Sequence, residues 1–129
     1  MKLKLLTVLA VALVGVGLSA AVAHAAFYGS TIKITGDVGA TVQDFQVYGE
    51  VHSPNAKCVP NRTVKIFSIT PSGLKLIDTD QTSRNGFFFG GGNFGSTVYG
   101  ARVKVVERNI GTQSNPQVCK SDTDTLPIA

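Results

Sequence analysis

RTVKIFSIT, residues 62–70, is a segment rich in β-branched residues. Its side chains alternate between two faces, with Val64, Ile66 and Ser68 on one and Lys65, Phe67 and Ile69 on the other. A period of two and many β-branched residues are typical of a strand. The stretch therefore predicts a β-strand in a sheet that is packed on a core.

Similar short segments recur along the chain, with turn-forming residues between them. They are TIKIT (31–35), FQVYGEV (45–51), LKLIDT (74–79), GFFFG (86–90) and VYGARVKVV (98–106). Asn85-Gly86 is the sharpest turn signal, because this pair tolerates positive φ. No stretch shows the apolar spacing of an amphipathic helix. About seven short strands at a spacing near ten residues predict an all-β fold, a single antiparallel β-sandwich. The polar tail SDTDTLPIA (121–129) reads as loose and partly disordered.

The first 25 residues have the features of a secretory signal peptide, which would form a helix before cleavage. Two lysines precede an uncharged run, residues 5–23, and Ala23-His24-Ala25 matches the small-x-small cleavage pattern. An uncleaved membrane anchor is the alternative, because the run approaches the ~20 residues that span a bilayer. We predict cleavage before Ala26, secretion to the exterior or the cell envelope, and one domain over residues 26–129.

The two cysteines, Cys58 and Cys119, have three possible roles: nucleophile, metal ligand or disulfide. Only His52 remains as a histidine after the leader, and zinc sites usually need four ligands at short spacing. An even cysteine count in a secreted chain favours a Cys58–Cys119 disulfide. A free thiol or an intermolecular bridge are the alternatives.

Charge and motifs exclude several functions. Residues 26–129 carry ten basic and eight acidic side chains, scattered along the chain, so a nucleic-acid partner is not expected. The four acids Asp78, Asp80, Asp122 and Asp124 lack the spacing of a calcium loop. No serine lies in a G-x-S-x-G turn. We predict a protein without catalytic residues, metal or cofactor, and without a membrane association once the leader is removed.

The phenylalanine-rich segment GFFFGGGNFG, residues 86–95, is the most suggestive feature for binding. Strand alternation places Phe87 and Phe89 opposite Phe88, so one set faces the core and the other faces solvent or a cover such as residues 27–45. If uncovered, Phe87, Phe89, Phe94 and Tyr99 would form a binding or self-association patch.

A set of spaced residues resembles a known group of domains. The set is Gly49-x-Val51, Cys58, Arg62-x-Val64-x-Ile66, Asp80-x-Thr82-x-x-x-Gly86-x-Phe88, Tyr99-x-Ala101-x-Val103 and Cys119. It resembles small secreted bacterial transthyretin-like domains, which are related to carboxypeptidase regulatory-like and collagen-adhesin B-type β-sandwiches. The resemblance covers about residues 46–122 and implies an immunoglobulin/transthyretin-like Greek-key sandwich of seven strands.

The resemblance does not imply a single function. Transthyretin-like hydrolases would need several histidines and a C-terminal Tyr-Arg-Gly-Ser, whereas this chain ends in TLPIA. An adhesin-type isopeptide bond would need a buried lysine and acid, but Lys33, Lys65 and Glu50 fall at outward positions. We predict a secreted non-enzymatic module with a structural or binding role, whose partner is an extracellular protein or cell-surface component. The alternatives are a carrier of a small apolar ligand and a transthyretin-like hydrolase.

Overall fold

Ten β-strands and one short 3₁₀ turn make up the described part of the chain. The computed structural model describes residues 25–95 and 97–128. The elements are β1 (Ala26–Tyr28), β2 (Thr31–Thr41), β3 (Asp44–His52), the 3₁₀ turn (Ala56–Cys58), β4 (Thr63–Thr70), β5 (Gly73–Gln81), β6 (Phe87–Gly92), β7 (Gly100–Val105), β8 (Arg108–Asn109), β9 (Gln117–Cys119) and β10 (Asp122–Pro127). The predicted signal peptide, except for Ala25, lies outside the described residues. None of the described segments is a helix long and apolar enough to cross a bilayer.

Two sheets face each other, and a third, smaller sheet lies beside them. Of the two facing sheets, the four-stranded one has the order β10-β7-β4-β5 and the three-stranded one has the order β2-β3-β6. All strand pairs in both are antiparallel. The third sheet, β1-β9-β8, joins the N-terminal strand in parallel to β9. The predicted all-β sandwich is therefore confirmed.

The core lies between the two facing sheets. Its fully or almost fully buried members are Ile32, Phe45, Val47, Val51, Val64, Ile66, Phe88, Phe94, Ala101, Val103 and Val105. In β4, Val64 and Ile66 are 0% exposed and lie opposite Val105 and Val103 of β7. The alternation in residues 62–70 is therefore present in the strand, and the face that points inward is that of Val64, Ile66 and Ser68.

The turn before β6 has the backbone conformation that its sequence predicts. Gly86 has φ +87°, and a Cβ at this position would clash with the carbonyl oxygen of Val51. The N–H of Val51 donates to the carbonyl of Gly86 at 2.8 Å. Glycine is needed here for both reasons, positive φ and the close approach of β3.

Most of the C-terminal tail is a strand, β10, so the interpretation of the tail as loose was wrong for residues 122–127. β10 pairs with β7 from Asp122, opposite Val105, to Pro127, opposite Gly100. The inward positions of β10 are Asp122, Asp124 and Leu126. Because two of these three are aspartates, the sequence lacks the alternation of apolar and polar residues that predicts a strand. The sandwich accordingly extends beyond residues 46–122 at both ends.

These two carboxylates join the edges of the facing sheets. Ile32 N–H donates to Asp122 Oδ2 at 2.9 Å, and Ile34 N–H donates to Asp124 Oδ2 at 2.8 Å. Ile32 and Ile34 belong to β2, the edge strand of the other sheet, whose N–H groups have no further strand to pair with there. Asp122 and Asp124 therefore satisfy an edge that would otherwise be open.

The opposite side of the sandwich repeats the arrangement with the second Asp-Thr-Asp sequence. Phe89 N–H donates to Asp80 Oδ2 and Gly91 N–H donates to Asp78 Oδ2, both at 2.9 Å. These donors belong to β6, the other edge of the three-stranded sheet. Inward-pointing acids on edge strands prevent pairing with a further chain.

The four aspartates are thus two separate pairs on opposite edges. Within residues 25–95 and 97–128, no three acidic, histidine or cysteine side chains come together as a metal site. Their role in the structure is to accept backbone hydrogen bonds.

Asp122→Ala tests the contribution of one such bond. We expect the free energy of unfolding to fall by about 1–3 kcal/mol, since the Ile32 N–H loses a charged acceptor. Asp122→Asn keeps an oxygen acceptor and should lose less. Asp37→Ala, an exposed aspartate on β2, is the control. The measurement is the midpoint of urea unfolding, and equal midpoints for Asp122→Ala and Asp37→Ala would show that the edge bond contributes nothing.

Candidate binding face

Two phenylalanines of β6 lie on the outer face of the three-stranded sheet. Phe87 and Phe89 are 45% and 42% exposed, whereas Phe88 between them is 0% exposed. The alternation of β6 therefore buries one ring in the core and leaves two in solvent. Residues 27–45, suggested as a cover, form part of β1 and all of β2 instead.

Tyr48 of β3, which is partly buried, lies beside these two exposed rings. It pairs in register with Phe89, and its ring centroid lies 6.3 Å from that of Phe87 and 6.5 Å from that of Phe89. On its other side, Tyr48 pairs with Gly36 of β2, where a Cβ would clash with the tyrosine hydroxyl. The tyrosine ring thus lies over a glycine. We call Tyr48, Phe87 and Phe89 the aromatic face.

Phe94, the third residue of the predicted patch, lies in the core. It is 1% exposed, and its ring packs edge-to-face on Phe45 with centroids 5.1 Å apart. Its backbone N–H donates to the carbonyl of Val42 at 2.7 Å. The segment after β6 thus leads back into the sandwich, so Phe94 is not part of an exposed patch.

Tyr99, the fourth predicted residue, is exposed but lies elsewhere. Its N–H donates to the carbonyl of Ile69 in β4, and its carbonyl accepts from the N–H of Ile128, which follows β10; both strands belong to the four-stranded sheet. The structure thus brings Phe87 and Phe89 together, separates them from Phe94 and Tyr99, and adds Tyr48. Alternation along residues 45–51 could have placed Tyr48 outward, but not next to β6.

Polar side chains continue the outer face beyond the aromatic rings. Glu50 pairs in register with Phe87 on one side and with Lys33 of β2 on the other. His52 Nε2 lies 3.2 Å from Glu50 Oε1, with the two side chains 65% and 45% exposed. The rim of the aromatic face therefore carries donors, acceptors and charges of both signs in open solvent.

Arg62 is buried, which is rare for an arginine side chain. It is 0% exposed and donates four hydrogen bonds, to Ser30 Oγ, Cys58 O, Val106 O and Lys120 O at 2.7–3.0 Å. Burial, and secondly the charge of Arg108, lowers the pKa of Arg62 from its usual value. The guanidinium thus hydrogen-bonds to four separate segments of the chain, and it has no carboxylate partner among the described residues.

The predicted disulfide between Cys58 and Cys119 lies beside this arginine. The two sulfurs are bonded, the Cα atoms are 5.5 Å apart, and both residues are 0% exposed. Thr82, which is 2% exposed, accepts from the N–H of Arg62 at 2.8 Å and donates to the carbonyl of Val59 at 2.7 Å. The disulfide prediction is confirmed, and a disulfide is consistent with an extracellular location.

The outer face of the four-stranded sheet has a different chemistry. Leu74 and Leu76 of β5 are 48% and 50% exposed, next to Ile69 and Phe67 of β4. The outward positions further along this sheet hold three cations, Lys65, Arg102 and Lys104. The outer face of the three-stranded sheet thus carries aromatic rings and charges of both signs. The outer face of the four-stranded sheet carries aliphatic side chains and positive charges.

Comparison with protein-family models, with curated proteins and with solved structures gave no match. The resemblance to transthyretin-like domains therefore rests on the spaced residues of the sequence alone.

Proposed function

We propose that this protein is a secreted, non-enzymatic β-sandwich module that binds a component of the cell surface or envelope through the aromatic face. The observation that carries the proposal is the meeting of Tyr48, Phe87 and Phe89 on one outer face of the sandwich. Grouped exposed aromatic rings are typical of binding surfaces, where they provide large contact area with few rotatable bonds.

The sheet edges favour the face as the place of binding. Edge strands bind extended peptides through free backbone groups. Here Asp122 and Asp124 occupy N–H groups of β2, and Asp78 and Asp80 occupy those of β6. Because these backbone N–H groups are already hydrogen-bonded, a ligand is better recognised through the side chains of the aromatic face.

Three features support the secreted location and the fold identity that belong to this proposal. The Cys58–Cys119 disulfide suits an oxidising compartment. The predicted cleavage site lies immediately before β1, which begins at Ala26. The spaced residues support a transthyretin-like Greek-key arrangement of the sandwich strands.

The test compares two double variants in sedimentation with insoluble envelope material from the producing cells. Phe87→Thr with Phe89→Thr should weaken binding at least tenfold, since losing two aromatic contacts removes more than the ~1.4 kcal/mol of a tenfold change. Leu74→Thr with Leu76→Thr makes the same kind of change on the other outer face and should bind like the wild type. Absence of wild-type binding, or equal loss in both variants, would contradict the proposal.

A further inference from the structure

We infer that the ligand of the aromatic face is a neutral polysaccharide, whose sugar rings stack through their C–H faces on Tyr48, Phe87 and Phe89. The inference rests on the proposed binding function and names the class of ligand. Four features of the face support it: the ring geometry, the polar rim, the charge and the area.

The ring geometry leaves part of Phe87 and part of Phe89 open for stacking by a ligand. The plane of Tyr48 makes angles of 39° with that of Phe87 and 28° with that of Phe89, and the centroids are 6.3 and 6.5 Å apart. This separation is too large for two rings to stack face to face at van der Waals contact. The face is therefore a compact group of three rings, with Phe87 and Phe89 on β6 and Tyr48 beside both of them on β3, and each ring is about the size of a sugar ring.

The rim supplies the groups that hydroxyls need. Glu50 accepts hydrogen bonds, Lys33 donates them, and His52 can do either, all within reach of solvent. A sugar presents an apolar C–H face together with hydroxyl groups around its edge. The aromatic face can contact the C–H face of a sugar, while Glu50, Lys33 and His52 beside it can hydrogen-bond its hydroxyl groups.

The charge of the face argues against an anionic partner such as a lipid headgroup or an acidic polymer. Glu50 and Lys33 lie directly opposite each other on neighbouring strands, so the two formal charges offset one another. The cations Lys65, Arg102 and Lys104 lie on the other outer face. An anionic ligand would favour that face, and a neutral one suits the aromatic face.

The area of the face argues against a second copy of this chain. Phe87 and Phe89 are 45% and 42% exposed, which for side chains of about 150–250 Å² leaves roughly 90 Å² on each. With Tyr48 the rings expose roughly 250 Å², about a third of the ~800 Å² per partner in a stable interface. This is too little apolar surface to hold a dimer, but it suits a few sugar units.

The experiment divides the insoluble envelope material into three portions. One is treated with protease, one is extracted with chloroform and methanol, and one is oxidised with periodate, which cleaves sugar diols. We expect wild-type binding to survive the first two treatments and to fall at least tenfold after the third. Loss after protease would identify a protein partner and loss after extraction a lipid, and either result, or survival of all three treatments, overturns the inference.

Variants separate ring stacking from general unfolding. Phe87→Tyr and Phe89→Tyr keep the rings and should bind within about threefold of wild type, whereas Phe87→Thr with Phe89→Thr should bind at least tenfold more weakly. The urea midpoint of each variant checks that it folds. If the wild type is a dimer in analytical ultracentrifugation and Phe87→Thr with Phe89→Thr is a monomer, the face serves self-association and the inference is overturned. Failure of the untreated material to bind at all would instead reject the proposed function.

Discussion

Arg62→Met is expected to lower the free energy of unfolding by about 3–5 kcal/mol, because it leaves several buried acceptors without a donor. The guanidinium donates to the carbonyls of Cys58, Val106 and Lys120. Removing a buried charge also removes its desolvation cost, which acts in the opposite direction. We expect the loss to dominate, since methionine fills the space but cannot donate a hydrogen bond.

Two further variants make this prediction specific. Arg62→Lys keeps the charge, but its single ammonium cannot reproduce a planar fork, so it should be almost as destabilising. Arg102→Met, on the outer face, removes one exposed hydrogen bond to Thr125 Oγ1 at 3.2 Å and should change stability by less than about 0.5 kcal/mol. Urea unfolding followed by circular dichroism gives the three values. An Arg62→Met midpoint close to that of Arg102→Met would show that the buried network does not stabilise the fold.

Replacing Cys58 and Cys119 together by alanine should lower the free energy of unfolding by about 4 kcal/mol. The disulfide joins residues separated by 61 positions, so it restricts much of the unfolded chain. Small domains have net stabilities of about 5–15 kcal/mol. The double variant should therefore be only marginally folded at physiological temperature.

The measurement is thermal and urea unfolding of the wild type with and without reductant, beside the double alanine variant. Reduced wild type and the variant should unfold at similar, lower midpoints, and reductant should leave the variant unchanged. An oxidised wild type no more stable than the variant would contradict the prediction. Combining the alanines with Arg62→Met should give a non-additive loss, since Arg62 bonds the carbonyls of Cys58 and of Lys120, which follows Cys119.

Much of the fold follows from local sequence. The six segments with period-two alternation or β-branched residues all become strands, and Asn85-Gly86 forms the expected turn, because strand alternation and positive φ depend on neighbouring residues. The disulfide was also predictable, since two cysteines after a predicted secretory leader allow one intramolecular pairing. The outward direction of Phe87 and Phe89 follows from the burial of Phe88.

The rest depends on which strands become neighbours, and that is decided by contacts between residues distant in sequence. The polar side chains of Asp122 and Asp124 gain a structural role only because β2 lies beside them. Arg62 is buried only because the segments around the disulfide enclose it. Tyr48 joins the aromatic face through the register of β3 with β6, while the path of the glycine-rich segment buries Phe94 against Phe45. Local sequence thus determined the strands and the disulfide, whereas tertiary pairing decided the closed edges, the buried arginine and the composition of the binding face. The reason is that register and sheet order lie in long-range backbone pairing, which no local pattern encodes.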